Sequence, residues 1–164
     1  MSARFLKTIR FDASDTFAFP VAAEPDEWAI SGGFAFTDIE PEALAGKAKQ
    51  AFANGFLGLT SFGHTTFAAV ANISQAEHRD TIERLARHFV DAYGAPDMAA
   101  ARIAAVDEIA FIQDLVKDCL INTLFCVQRS FDDDGQIVEA FRKLERRIDG
   151  GPIYLGNGDL ADAG

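Results

Sequence analysis

The chain has 164 residues, the size of one domain, and 49% of them are apolar, so a packed core needs no disulfide or metal to sustain it. Its formal net charge is −10, and eight acidic residues fall between Phe11 and Gly46 with no Lys or Arg among them. Neutralising phosphate takes basic side chains, so this balance argues against nucleic acid and against an anionic membrane surface as partners.

No apolar run is long enough to span a bilayer, and the N-terminus lacks the apolar stretch of a signal peptide. The two cysteines, Cys119 and Cys126, fall at positions of opposite parity around an expected strand, so a disulfide between them is not expected. Two thiols of this kind suit a cytoplasmic location.

Three alternating runs open the chain. Arg4–Phe11 places Phe5, Ile9 and Phe11 on one face, with Lys7 as the exception. Thr16–Val21 aligns Phe17, Phe19 and Val21, and Trp28–Phe36 aligns Trp28, Ile30, Phe34 and Phe36. Period-two alternation predicts strands for all three, with turns at 12–15 and at Glu24-Pro25-Asp26. Pro20 marks its strand as an edge or a bend, and Gly32-Gly33 suggests a bulge or a close backbone approach.

A short helix follows, with Pro41 in its first turn after Asp38 or Glu40. Leu44, Ala48, Ala51 and Phe52 form its stripe, and Asn54-Gly55 ends it. Two strands, Phe56–Phe62 and Thr65–Ile73, are expected around a turn at Gly63-His64. Ser74 and Glu77 have capping-box spacing for a helix carrying Ile82, Leu85, Phe89, Val90 and Tyr93, which stops at Gly94. Asp97 caps another helix running to about Asp118. Its apolar positions Ile103, Val106, Ile109, Ile112 and Val116 cover a wide arc, which predicts burial on more than one side.

Ile121–Phe131 reads as a strand, apolar on both faces at Leu124-Phe-Cys-Val127. Asp132-Asp-Asp-Gly135 is a turn. Ile137, Phe141, Leu144 and Ile148 have helical spacing and predict a last helix, with a continued hairpin strand at Gln136–Phe141 as the rival. A Gly-rich tail at 151–164 follows a single domain at 1–150.

Chemical signatures are sparse. Ser61 and His64 flank Gly63, but a nucleophile pair needs an acid to orient the His, and no Gly-x-Ser-x-Gly elbow is present. His78 and His88 do not share a helix face. Ser130–Phe141 follows a calcium-loop spacing until its last position, where Phe141 replaces the required carboxylate. Asp107 and Glu108 point apart on a helix and read as a solvated edge. Nucleotide-binding glycine loops are missing. No catalytic residue, metal ligand or cofactor is assigned.

Three stretches carry a resemblance: Phe5-Leu-Lys-Thr-Ile-Arg-Phe-Asp-Ala-Ser-Asp-Thr-Phe, Glu27-Trp-Ala-Ile-Ser-Gly-Gly-Phe-Ala-Phe and Gly55-Phe-Leu-Gly-Leu-Thr-Ser-Phe-Gly. They resemble a family of small alphaproteobacterial proteins built on a domain of unknown function, over most of residues 4–148. The resemblance brings no activity and no catalytic residue. It implies an accessory role, through neighbours concerned with cofactor attachment and redox-enzyme maturation.

The expected fold is α+β: an antiparallel sheet from the N-terminal meander and later strands, with three to four helices mostly on one face. The expected function is that of a non-catalytic cytosolic binding or accessory protein. Fifteen Phe, ten of them before residue 68, suggest a homodimer burying part of the meander. The alternative is a small-molecule-binding protein or enzyme with an apolar pocket near Gly63-His64, drawing on Trp28, Ser61, Phe62 and His64.

Overall fold

A computed structural model describes residues 3–10, 14–37, 39–146 and 153–162; for 145–146 and 153–162 the description is of backbone pairing. The strands are β1 (Ala3–Ile9), β2 (Trp28–Ile30), β3 (Phe56–Gly58), β4 (His64–Thr65), β5 (Phe67–Ile73), β6 (Leu124–Phe131), β7 (Ile137–Arg146) and β8 (Ile153–Asp162). The helices are α1 (Ser14–Ala18), α2 (Gly46–Asn54), α3 (Gln75–Tyr93) and α4 (Met98–Val116). The strands form one sheet in the order β4-β3-β2-β1-β5-β6-β7-β8, every pair antiparallel. The fold is α+β, and none of the described helices is long and apolar enough to cross a membrane.

The central strands show why the core sits where it does. Phe125 lies opposite Ala68, and Val127 opposite Phe141, so these four side chains share one face, and all are buried. Their neighbours Cys126 and Gln128 point the other way and stay partly or fully exposed. α4 lies along β1 and reaches β2, with α3 stacked on it. It presents Ala101, Ala105, Ile109, Ile112 and Val116, one stripe at helical spacing, and Phe111 meets Phe141 at 5.5 Å.

Helix ends follow the local chemistry. The Ser74 hydroxyl accepts from Glu77 N while the Glu77 carboxylate accepts from Ser74 N, completing the capping box of α3. Gly94 closes α3 at φ +73°, and the Asp97 carboxylate accepts from Ala100 N to start α4.

Several expectations are corrected. Thr16–Val21 is not a strand. It is the end of α1 followed by a bend, and Phe17 is 74% exposed while Phe19 is 1% exposed, so the two do not share a face. The Asp15 carboxylate overrides the alternation: it accepts from the Thr65 and Thr66 hydroxyls and pins the segment to the sheet. Trp28–Phe36 is a strand only to Ile30, then a 3-10 turn over Gly33–Phe36. The break falls at Gly32, whose φ is +82°, and a Cβ there would sit 2.6 Å from the Leu57 Cβ.

The helix expected from Ile137 onward is instead β7, described over Ile137–Arg146. The Asp132–Gly135 turn closes a tight hairpin, with Asp132 N donating to Gln136 O at 2.9 Å, so the next segment must lie beside β6. Ile148 lies outside the described residues. The expected tail contributes β8, paired to β7 from Arg146↔Ile153 to Ala140↔Asp162. α4 is buried on one side only, since Ile103 is 69% and Val106 45% exposed. The turn between β3 and β4 spans Leu59–Gly63, and His64 already belongs to β4. Phe11, Ala13, Asp12 and Asp38 lie outside the described residues.

Gly32 and Gly46 give a paired test. Both have positive φ, but nothing surrounds a Cβ at Gly46. Gly46→Ala should cost about 1–2 kcal/mol from backbone strain alone. Gly32→Ala should cost about 2–4 kcal/mol, because crowding against Leu57 adds to the strain. Urea denaturation of the two variants measures the difference.

Candidate functional site

The four residues singled out from the sequence go to separate surroundings. Trp28 packs edge-on against Phe5 and lies under the Lys7 ammonium at 4.5 Å. Ser61 belongs to a clamp around the buried Glu27 carboxylate. Glu27 Oε1 accepts from Thr60 N and Ser61 N, and Oε2 accepts from Glu24 N and from the Ser61 hydroxyl at 2.7 Å. These bonds tie the β3–β4 turn to the segment before β2, which is a structural task. Phe62, at φ +57°, stacks on His88 with ring centroids 3.7 Å apart.

His64 enters an aromatic nest, 5.9 Å from Phe19 and 6.0 Å from Phe36. Burial, with the Arg129 charge adding to it, lowers its pKa to about 4, so the ring is neutral at pH 7. Its Nε2 is buried without a hydrogen-bond partner. Ser61 and His64 therefore do not form a nucleophile pair, because the Ser61 hydroxyl is committed to Glu27.

The polar groups that do converge lie elsewhere. The hairpin register sets Arg129 of β6 directly opposite Glu139 of β7, and both point to the helix-covered face. The Arg129 side chain is wholly buried, and each nitrogen is engaged. Nε donates to Glu139 Oε2 at 2.7 Å, Nη1 to Phe52 O at 2.8 Å, and Nη2 to the Ser31 carbonyl. Phe52 O belongs to the last turn of α2, where carbonyls lack partners within the helix. The Ser31 hydroxyl donates to the same Glu139 oxygen. Burial pushes the guanidinium below its usual value while Glu139 opposes this, and an arginine so placed keeps its charge.

Beside this cluster opens a cleft of about 480 Å³. Ser31, Gly33, Phe34 and Thr37 form one wall, Glu108 and Phe111 of α4 the second, and Ile137, Val138 and Glu139 of β7 the third. Phe34 is held in place by edge-on contacts to Phe89 at 4.9 Å and Tyr93 at 5.3 Å. A Cβ at Gly33 would meet Glu139 Oε2 at 2.8 Å, so a larger residue there would push that carboxylate aside.

Glu108 differs from its expected role. It is half-buried on the cleft wall rather than on a solvated edge, and among the described residues it has no hydrogen bond or ion pair. Burial, then the nearby Glu139, push its carboxyl above the ordinary range, with Arg129 opposing and Asp107 adding. Sequence reasoning missed this site because Glu139 was read on a helix; as a hairpin strand, the turn at Asp132–Gly135 places it opposite Arg129.

Among the described residues no group of three or more His, Cys, Asp or Glu could hold a metal ion. The Asp132 carboxylate of the calcium-like segment accepts from Asp134 N and Gln136 N, as an ordinary turn does. Cys119 and Cys126 are both free, and burial raises both thiols, so neither is an activated nucleophile.

Two stability outcomes follow. His64 is kept neutral in the folded chain, whereas the unfolded chain takes up a proton below pH 6.5. Its contribution is complete above pH 6.5 and is lost as the pH falls toward about 4, by roughly 3 kcal/mol. Urea midpoints of His64→Gln across that window should fall less steeply than those of the parent; equal slopes would contradict the assignment. Arg129→Lys loses the fork to Ser31 O, Phe52 O and Glu139 together, and equilibrium unfolding should show a loss of about 3–5 kcal/mol.

No curated protein and no solved structure matches the chain. A family model does, over residues 2–152, and its description is a family of unknown function, DUF6505. With nearly all of the chain matched, the protein belongs to the DUF6505 family.

Proposed function

We propose that this protein is a non-catalytic binding or accessory protein whose binding site is the cleft between α4, the Gly33–Phe36 turn and the start of β7. The observation that carries this reading is the division of labour around the cleft. Phe34, Phe111, Ile137 and Val138 offer an apolar lining. The polar groups Ser31, Arg129 and Glu139 bond to one another and the Thr37 hydroxyl donates to Phe34 O, which leaves the Glu108 carboxylate unpaired among the described residues. A few placed polar groups over apolar walls is the usual make-up of a small-molecule site.

A hydrolytic reading rests on the Ser31 hydroxyl donating to Glu139. It is the weaker one, because the accepting oxygen is also paired with Arg129 Nε at 2.7 Å, and Ser31 itself is buried. A general base needs a free lone pair aimed at the nucleophile and a nucleophile that substrate can reach.

The proposal includes a cytoplasmic location, supported by the two free thiols. It also keeps a homodimer or a protein partner. In the Phe-rich segment Phe5, Phe19, Phe36, Phe52 and Phe56 are internal, whereas Phe17 and Val21 are exposed. Phe17 and Val21, and Ile103 and Val106 on the outer side of α4, are exposed apolar side chains that a second copy would cover.

Methyl and aromatic NMR shifts during a fragment screen test the binding site. Hits should perturb Ile137, Val138, Phe34 and Phe111 together. Perturbations that map only to other surfaces, or none at all, would remove the cleft as the site.

A further inference from the structure

We infer that the cleft takes an organic ammonium ion carrying an apolar body, with the Glu108 carboxylate as its counter-ion. This rests on the cleft being the binding site, and it adds the chemical class of the ligand.

The argument runs from the hydrogen-bond inventory. Among the described residues Arg129 is the cation of the cluster, and its donors are spent on Glu139, Phe52 O, Ala51 O, Ser31 O and the Ser31 hydroxyl. The Ser31 proton is spent on Glu139. A ligand therefore meets acceptors: the Glu108 carboxylate and whatever capacity Glu139 retains. With Glu108 ionised, two carboxylates face one guanidinium among the described lining residues, so their balance is one negative charge. An anionic ligand would be repelled and would find no side-chain donor in this cluster.

The walls narrow the class further. A bare metal ion needs several oxygen or nitrogen donors, and the described residues contain no such group. Phe34 and Phe111 present aromatic rings, and Ile137 and Val138 aliphatic surface, to the same space. An ammonium on an alkyl or arylalkyl body satisfies both demands: its charge pairs with Glu108, its hydrocarbon covers the apolar walls, and aromatic faces favour a nearby cation. A cleft of about 480 Å³ falls within the usual range for small organic ligands.

Glu108 is well placed to act as a counter-ion. It sits on α4 between buried Ala105 and Ile109, so its backbone is fixed, while its head group is only half-buried and can be reached. The charged groups around it are Glu139 on β7, Arg129 on β6 and its neighbour Asp107 on α4. An incoming ammonium would pair with this half-exposed carboxylate at a lower desolvation cost than with a fully buried one.

The test uses the full chain and four probes: hexylamine, phenethylamine, hexanol and hexanoate, followed by NMR shifts of the cleft side chains and by calorimetry. Both amines should bind at the cleft at pH 7.5, and hexanoate should not. Glu108→Gln should weaken the amines at least tenfold and leave hexanol unaffected, with an unchanged urea midpoint showing that the variant is folded. Amine affinity should also fall in mildly acidic buffer for the parent, as Glu108 takes up a proton, and stay level for the variant. If hexanol and hexanoate shift the cleft as strongly as the amines, the cleft remains a binding site and the ammonium assignment fails. If no probe shifts the cleft residues, both readings fail.

Discussion

The buried Arg129 guanidinium is the constraint from which the local architecture follows. A charge removed from water is tolerable only when its hydrogen-bonding positions are filled. Here the partners come from three parts of the chain: Glu139 on β7, the Ser31 carbonyl and hydroxyl just after β2, and the Ala51 and Phe52 carbonyls in α2. The planar fork suits this task, because its donors diverge in fixed directions. The chain after β2 must therefore leave the sheet at Ser31, and α2 must end with its carbonyls aimed at β6. The positive φ of Gly32 and the approach of Gly33 to Glu139 are the backbone conditions that allow both.

The same constraint shapes the cleft. By engaging Ser31 and Glu139, the arginine leaves a space with largely apolar walls in which the Glu108 carboxylate is the group it does not bond. It also shifts charges at a distance. Arg129 helps to keep His64 neutral on the side of the Phe19–Phe36–Phe52 nest and opposes the raised Glu108 on the other. Chemistry that needs a freely titrating histidine is thus disfavoured beside it, whereas recognition of a cation is favoured. Family membership adds no activity to this picture, since DUF6505 is a family of unknown function.

Much of the fold was legible where local signals stood alone. The Ser74–Glu77 box, Gly94 and Asp97 marked α3 and α4 because capping depends on nearby residues only. The failures share one cause: a side chain whose partner is remote in sequence. Phe17, Phe19 and Val21 alternate as a strand does, but Asp15 binds Thr65 and Thr66, some fifty residues away, and holds α1 instead. Ile137, Phe141 and Leu144 satisfy helical spacing, yet pairing with β6 decides their conformation. The candidate site went unseen for the same reason. Trp28, Ser61, Phe62 and His64 stood out in the sequence, but Ser61 bonds to Glu27, Trp28 and Phe62 pack on Phe5 and His88, and His64 lies between Phe19 and Phe36. Arg129 and Glu139 become partners only once the hairpin register is known.

The most direct measurement of this account is the NMR behaviour of the Arg129 side chain. A guanidinium held by Glu139, Ser31 and Phe52 cannot rotate freely about its Nε–Cζ bond and is shielded from water. Its Nε proton should exchange slowly at neutral pH, and its Nη protons should give separate resonances, unlike those of the exposed arginines. A single averaged Nη signal with rapid solvent exchange would contradict the buried fork, and with it the arrangement of the cleft.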